Sequence, residues 1–333
     1  MAEATIRDVA RRAEVSVATV SRALNGLENV QKETREKILA AADALGYVPH
    51  AGARSLSLAR AHAIGVVLPD LHGEFFSEFV RGMDREASQR GYLLLLSNMH
   101  ANSELARNAL RAMRGRVDGL LVMAPHIEIE ALERALPAAL PALLINCPGE
   151  VAGRPSLRLD NAAGAEAVVA HLVANGYRRI VHISGPEGNV DARERAEGYR
   201  RAMAAHAPEA CPVVIPGDFM EEGGEAAARV ILQSPDAYQA VFAANDMMAI
   251  GCLQALRAAG LSVPGDMAVA GFDDVPIARY MALTTVSVRI ADVGARAVSR
   301  LIDMFEGGMP DSLQELHRPE LVARATTAPG GDA

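Results

Sequence analysis

Apolar residues near the start of the chain recur three to five positions apart in two short segments, as they do along one face of a helix. They are Val9, Ala10, Val15, Val20 and Leu24. Thr5 and Ser16 each precede one of these segments, and both are residue types that cap helices. Because only Glu14 and Val15 separate the two predicted helices, the spacing is that of a helix-turn-helix.

The second predicted helix has a stripe opposite its apolar face, formed by Val17, Ala18, Ser21 and Arg22. In a helix-turn-helix this helix enters the major groove of DNA. Small residues and one arginine can meet base edges there. An ordinary helical hairpin is the alternative, but the caps, the tight turn, the small Ala10 and the exposed Arg22 all agree with the DNA-reading unit.

We therefore predict that Val17, Ala18 and Arg22 read bases. Hydroxyl and amide side chains around them suit phosphates and fix the register of the protein on DNA. The predicted phosphate contacts are Thr5, Ser16, Thr19, Ser21 and Asn25.

A third helix is predicted over about residues 32–45, and Gly46 and Pro49 then end the head. The predicted head is residues 1–48, followed by a hinge segment at 49–61. Residues 51–58 are small and polar, and Gly52 lowers helix stability, so this segment is expected to be disordered on its own.

From residue 62 onward, short apolar runs alternate with helical stretches, which is typical of parallel sheets with right-handed crossovers. Two such series follow each other. The predicted fold is a small all-α head and an α/β body of two tandem parallel-sheet lobes. Lobe one is assigned to about 62–155 plus 288–318, and lobe two to about 156–284 plus 319–326.

Polar side chains collect where the predicted strands end, which is where α/β sheets bind ligands. Examples are Asp70, Asn146, Arg195, Asn245 and Asp273. Amides, carboxylates, an arginine and aromatic faces suit a polyhydroxylated ligand in a cleft between the lobes. We interpret Asp246 and Asp274 as caps of the next helix or turn instead.

The formal net charge of −8 is unevenly distributed. Residues 1–60 contain 9 Lys and Arg against 7 Asp and Glu, whereas the rest contains 24 against 34. A head this weakly basic binds DNA poorly alone, because phosphate neutralisation supplies much of the affinity. Two heads are therefore needed.

Several classes of protein are disfavoured. No apolar run approaches the roughly 20 residues that cross a bilayer, and the charged start is unlike a signal peptide, so we expect a cytoplasmic protein without a membrane partner. This also argues against a transport-type binding protein. No dinucleotide-binding, P-loop, nucleophile-elbow or zinc-protease motif occurs, so an enzyme and a cofactor are not expected.

The cysteines and histidines indicate neither a disulfide framework nor a metal site. Isolated cysteines are expected to be small buried hydrophobes: Cys147, Cys211 and Cys252. Scattered histidines are expected to be solvated or hydrogen-bonded: His72, His126 and His182.

Residues 5–60 resemble the head of a LacI/GalR-family transcription regulator, through V-S-x-x-T-V-S-R at 15–22 and T-R-E-K at 34–37. The body resembles the periplasmic sugar-binding-protein fold, and A-L-T-T-V at 282–286 is similar to a strand by which the chain of such proteins crosses between lobes. The sequence departs from the pattern of that family at two places. Val17-Ala18 differs from the bulkier pair of the lac repressor, and Glu14 replaces a frequent glycine.

The resemblance implies a homodimer on a near-palindromic double-stranded operator. It implies that Leu56 belongs to a hinge helix and wedges into the minor groove; a flexible tether is the alternative. It also implies effector contacts by Phe75, Phe76, Arg195, Phe219, Asn245 and Asp273, with Asp70 and Asn146 as weaker candidates. One of the two adjacent phenylalanines is expected to face the cleft and the other to pack.

The predicted function is a repressor of carbohydrate-utilisation genes that a small sugar or sugar derivative releases from its operator. Control by a purine-type corepressor or by a partner protein is the alternative.

Overall fold

The computed structural model describes residues 4–25, 29–48, 60–308 and 312–328. It divides into two compact units, one ending at Ala63 and including Gly115–Asp118, the other comprising Ile64–Arg114 and the chain from Gly119 onward. We call them the head and the body. The predicted hinge residues 49–59, with Leu56, lie outside the described residues, so the minor-groove wedge stays a prediction.

In its described residues the head is a bundle of three helices, α1 (Ile6–Ala13), α2 (Val17–Leu24) and α3 (Lys32–Ala44). Val9, Val20 and Ile38 are fully buried where the helices meet. This confirms the predicted apolar face.

The two predicted caps of the head are present. The Asp8 carboxylate accepts hydrogen bonds from Thr5 N at 3.0 Å and Thr5 Oγ1 at 2.6 Å. Ser16 Oγ accepts one from Thr19 N at 3.1 Å. Between the helices, Glu14 has φ 54° and ψ 41°, the left-handed conformation that explains why glycine suits this turn.

The described part of the body contains three sheets. The strands are β1 (Ala63–Leu68), β2 (Leu93–Asn98), β3 (Gly119–Met123), β4 (Ala142–Ile145), β5 (Ser156–Leu159), β6 (Ile180–Ile183), β7 (Val213–Ile215), β8 (Ala240–Ala243), β9 (Ala268–Ala270), β10 (Thr285–Ser287), β11 (Gln314–His317) and β12 (Glu320–Val322). The first sheet has the order β11-β5-β4-β3-β1-β2 and the second β7-β6-β8-β9. β10 and β12 form an antiparallel pair.

Helices connect the strands. They are α4 (Glu74–Gln89), α5 (Ser103–Met113), α6 (Ile129–Ala135), α7 (Asn161–Ala174), α8 (Val190–His206), α9 (Glu221–Ile231), α10 (Asp246–Ala258), α11 (Pro276–Tyr280) and α12 (Ile290–Glu306). At Gly82 a Cβ would collide with the Ala291 carbonyl group, so glycine allows α4 and α12 to pack closely.

The predicted lobe boundary is wrong at β5. This strand, assigned above to lobe two, pairs in parallel with β4 and with β11 and so belongs to the first sheet. Lobe one therefore extends through Leu159, and the crossover to lobe two lies at Asp160 and Asn161. Alternation of strands and helices is the same on both sides of the boundary, so the pattern alone does not say which neighbours a strand pairs with.

The burial predicted for the cysteines is right for two of the three. Cys147 and Cys252 are buried, whereas Cys211 is exposed, just before the edge strand β7. Among the described residues, no helix has the length and apolar character needed to cross a membrane.

Candidate functional site

A cavity of about 410 Å³ lies in the body between the two rows of strand ends. All eight residues predicted to contact an effector line it: Asp70, Phe75, Phe76, Asn146, Arg195, Phe219, Asn245 and Asp273. They come from both lobes, because the carboxyl ends of the first and second sheets face the same space. The cleft predicted from the strand ends is therefore present.

Arg195 is the most constrained cation of this cavity. It lies on α8 and is 4% exposed. Its Nε donates to Asn161 Oδ1 at 2.9 Å and its Nη1 donates to the Ala244 carbonyl oxygen. Its Cζ lies 3.8 Å from the centroid of the Phe272 ring, a cation–π contact. The guanidinium is thus held in one plane, with unused N–H groups available to a ligand.

Asp273 faces this guanidinium. Its Oδ1 lies 3.3 Å from Arg195 Nη2, an ion-pair distance, and is shielded from solvent. Burial raises the pKa of Asp273 to about 7, although Arg195 opposes the rise. Its backbone has φ 109°, an uncommon conformation for a residue with a side chain. A buried arginine–carboxylate pair that lines a cavity suits neighbouring hydroxyl groups of a ligand, since its members include both donors and acceptors.

Asn245 and Phe219 are coupled to each other. Asn245 caps α10 by accepting from Met248 N at 3.0 Å, and its Nδ2 donates to the Phe219 carbonyl oxygen at 2.8 Å. Phe219 has φ 70° and its ring lies 5.8 Å from the Arg195 guanidinium. Asn245 therefore positions the aromatic ring as well as lining the cavity.

Phe75 and Phe76 lie in the first turn of α4 and both line the cavity. Phe75 also stacks on the buried Phe79, with ring centroids 6.1 Å apart. The prediction that one faces the cleft and one packs needs correction, since Phe75 does both.

The outer face of α2 carries the predicted base-reading residues. Val17 is 41% exposed, and Ala18 and Arg22 are exposed as well, whereas Val20 and Ala23 are buried. Ser16 Oγ and Thr19 Oγ1 lie 2.8 Å apart and share a hydrogen bond. The stripe is therefore free within the head to meet DNA, and its roles in readout remain proposals.

Both parts of the chain match known sequences. Residues 5–50 match the bacterial regulatory proteins of the lacI family, and residues 169–327 match the periplasmic binding protein-like domain. The ribose operon repressor of Halalkalibacterium halodurans is 34% identical over 98% of each chain. That of Escherichia coli K12 is 38% identical over 90% of this chain and 92% of the other.

The chain belongs to the LacI family. It is accordingly a DNA-binding transcriptional regulator. A crystal structure of the lac repressor dimer bound to operator and an anti-inducer agrees in fold, with a TM-score of 0.87 and 29% identity over 98% of this chain and 100% of that chain.

In this LacI-family body, the side chains of the two weaker candidates already accept hydrogen bonds from backbone N–H groups. Asp70 Oδ1 accepts from Leu71 N at 2.7 Å and His72 N at 3.2 Å. Asn146 has φ 46° and its Oδ1 accepts from Leu159 N at 3.0 Å. Both residues line the cavity, but the Asp70 carboxylate and the Asn146 amide oxygen are already engaged by backbone N–H groups.

The two acids interpreted as caps have other partners. Asp246 is fully buried and accepts from Val275 N at 2.9 Å and from Thr285 Oγ1. Asp274 pairs with Arg324 at 2.7 Å. The cap interpretation is wrong for both, because their partners come from segments distant in sequence; neither residue lines the cavity.

Sequence reasoning missed several cavity residues, among them Asp191, Asp218 and Glu221. The signal for Asp191 was its place four residues before Arg195. It also missed the contacts that join the lobes. Asn189 Nδ2 lies 3.3 Å from His126 Nε2, and Ile277 N donates to Glu74 Oε2 at 3.0 Å.

His182 lies at the centre of the second sheet, fully buried between Tyr199 and Phe242. Its Nδ1 donates to the Phe242 carbonyl oxygen at 2.9 Å. Burial lowers the pKa of His182 from 6.5 to about 3, against the raising effect of that hydrogen bond. His182 is therefore a neutral, hydrogen-bonded histidine.

We expect His182 to make the body less stable in acid. Between pH 3 and 6.5 the unfolded chain binds more protons at this residue than the folded chain does. The contribution of neutral His182 to the free energy of unfolding is therefore complete above about pH 6.5 and is lost as the pH falls. At about pH 5 the loss is roughly 2 kcal/mol. Urea unfolding at pH 7 and pH 5 measures it. His182→Phe should remove this part of the pH dependence, and the same change at exposed His206 should not; an unchanged dependence in His182→Phe contradicts the assignment.

Proposed function

We propose that this protein is a dimeric repressor of a sugar-utilisation operon, which a small uncharged sugar releases from its operator. The observation that carries the proposal is the buried ion pair of Arg195 and Asp273, which lines a cleft beside aromatic rings in a LacI-family body. Such a pair can bind two adjacent hydroxyl groups. The names of the two ribose operon repressors above support D-ribose as the first candidate.

The α2 stripe supports the operator half of the proposal. Arg22 is placed to make a bidentate contact to guanine, and Val17 and Ala18 to meet thymine methyl groups. Thr5, Ser16, Thr19, Ser21 and Asn25 surround the stripe and are proposed to contact phosphates.

An exposed apolar strand supports the dimer. β2 is the edge strand of the first sheet, and its Leu93, Leu95 and Leu96 are 72%, 37% and 42% exposed. Exposed apolar edges favour association with another chain. We propose that this edge contributes to contact with a second copy, which also supplies the second head that a weakly basic DNA-binding unit needs.

The test is selection of genomic fragments by the purified full-length protein without a sugar. We expect a near-palindromic site, bound by a dimer and released by D-ribose. Enrichment of a site that is released only by purines or purine nucleosides would overturn the sugar part. A folded dimer that enriches no site without purine addition would favour corepression, and a monomer would overturn the dimer.

The charge around the cavity predicts which form of the sugar binds. Among the described lining residues, only Arg195 carries a permanent positive charge. Five others carry carboxyl groups: Asp70, Asp191, Asp218, Glu221 and Asp273. At about 8 Å and an effective dielectric constant near 20, each unit of repulsion costs roughly 2 kcal/mol. D-ribose 5-phosphate should therefore bind at least about tenfold more weakly than D-ribose.

Isothermal titration of the two sugars measures this difference. The double variant Asp218→Asn/Glu221→Gln keeps the shape of both side chains. It should reduce the difference in affinity between D-ribose and D-ribose 5-phosphate. Equal or tighter binding of the phosphate by the unaltered protein contradicts the prediction.

A further inference from the structure

The Arg195 guanidinium is supported from behind by a residue that does not line the cavity. Asn161 is 1% exposed, and its Oδ1 accepts the hydrogen bond from Arg195 Nε at 2.9 Å. Neither operator binding nor the proposed contacts to a sugar use Asn161. Its contact with Arg195 therefore needs a separate explanation.

Two carboxylates determine which way the Asn161 amide points. Its Nδ2 donates to Asp191 Oδ1 at 2.8 Å and to Glu194 Oε2 at 3.2 Å. An ionised carboxylate only accepts hydrogen bonds, so the NH₂ group must face these acids and the oxygen must face Arg195. The opposite orientation would bring NH₂ against an N–H donor and oxygen against two carboxylates.

The position of Asn161 in the chain gives this contact a firm base. Asn161 is the first residue of α7, directly after the crossover from β5 in lobe one. Glu194 in turn forms an ion pair with Arg158 of β5. A connected set of hydrogen bonds and ion pairs thus runs from a lobe-one strand, through Asn161, to the guanidinium in lobe two.

We propose that Asn161 is the positioning residue of the effector site, which holds the Arg195 guanidinium in the plane that turns its unused N–H groups toward the cavity. The proposal rests on Arg195 as an effector contact in the proposed function. Without Asn161, Arg195 keeps Asp273, the Ala244 carbonyl oxygen and Phe272, but its Nε–H loses its acceptor. The Nε edge of the guanidinium is then no longer fixed by a hydrogen bond.

The experiment follows hydrogen exchange at Arg195 Nε in full-length protein labelled with ¹⁵N-arginine. The signal is assigned by its absence from Arg195→Lys. In Asn161→Ala this proton should exchange at least about tenfold faster, because a hydrogen bond from a charged donor is lost.

Asp160→Ala is the matched control. Asp160 caps the same helix by accepting from Ala163 N at 3.2 Å, so its loss weakens the helix end without touching Arg195. Its Arg195 proton should exchange as in the unaltered protein. Unchanged exchange in Asn161→Ala or equal acceleration in Asp160→Ala would each overturn the positioning role.

Titration with D-ribose adds a functional readout. Asn161→Ala should bind D-ribose at least about tenfold more weakly, and Asp160→Ala should bind it normally. Binding of D-ribose by Asn161→Ala at the unaltered affinity would also overturn the proposal. If the unaltered protein does not bind D-ribose, that result contradicts the choice of sugar in the proposed function, while the exchange rates still decide the role of Asn161.

Discussion

Replacing Arg195 with lysine is expected to give a folded protein that binds its operator but no longer responds to D-ribose. Lysine keeps the positive charge beside Asp273, so no buried carboxylate is left without a cation. It cannot reproduce the planar fork that reaches Asn161, Ala244 and a ligand together. Losing one or two charge-assisted hydrogen bonds should weaken D-ribose binding about 100-fold.

Arg193→Lys is the matched control for this change. Arg193 lies two positions earlier on α8, its side chain is 57% exposed, and it pairs only distantly with Glu197 at 3.9 Å. The same substitution there should leave D-ribose binding and operator release unchanged. Calorimetry measures the sugar, and fluorescence anisotropy of labelled operator measures release. A full response in Arg195→Lys would remove Arg195 from the effector site.

Replacing Arg22 with alanine is expected to abolish operator recognition while leaving weak binding to random DNA. Each good contact to a base contributes roughly 1–3 kcal/mol of discrimination, and a dimer places two such arginines on a palindrome. The affinity for the selected operator should therefore fall about 100-fold or more. Affinity for random DNA of the same length should fall much less, because it depends on phosphate neutralisation.

Arg12→Ala separates loss of charge from loss of readout. Arg12 is exposed on α1 and carries the same charge as Arg22. Its removal should weaken operator and random DNA by the same factor and leave their ratio intact. Anisotropy titrations at several salt concentrations give both affinities. If Arg22→Ala keeps the ratio of operator to random DNA, Arg22 does not read a base.

The head and part of the cavity lining were predictable because they depend on local rules. Helical spacing and capping residues predicted α1, α2 and the turn between them, and the left-handed Glu14 follows from that turn. Side chains at strand ends meet at one edge of a parallel sheet, so the predicted effector residues were brought together. Short elements such as α6 and α11 escaped prediction, because five to seven residues carry too little periodicity.

The sequence by itself determined the helix-turn-helix, the alternation of strands and helices, and the presence of polar residues at the strand ends, since each is a consequence of neighbours within a few positions. Only the tertiary structure decided that β5 belongs to the first sheet, that Asp246 holds Val275 N, and that Asn161 supports Arg195. These contacts join residues 12 to 34 positions apart. Strand pairing and buried hydrogen bonds of that kind depend on how whole lobes pack, and no local pattern specifies the partner.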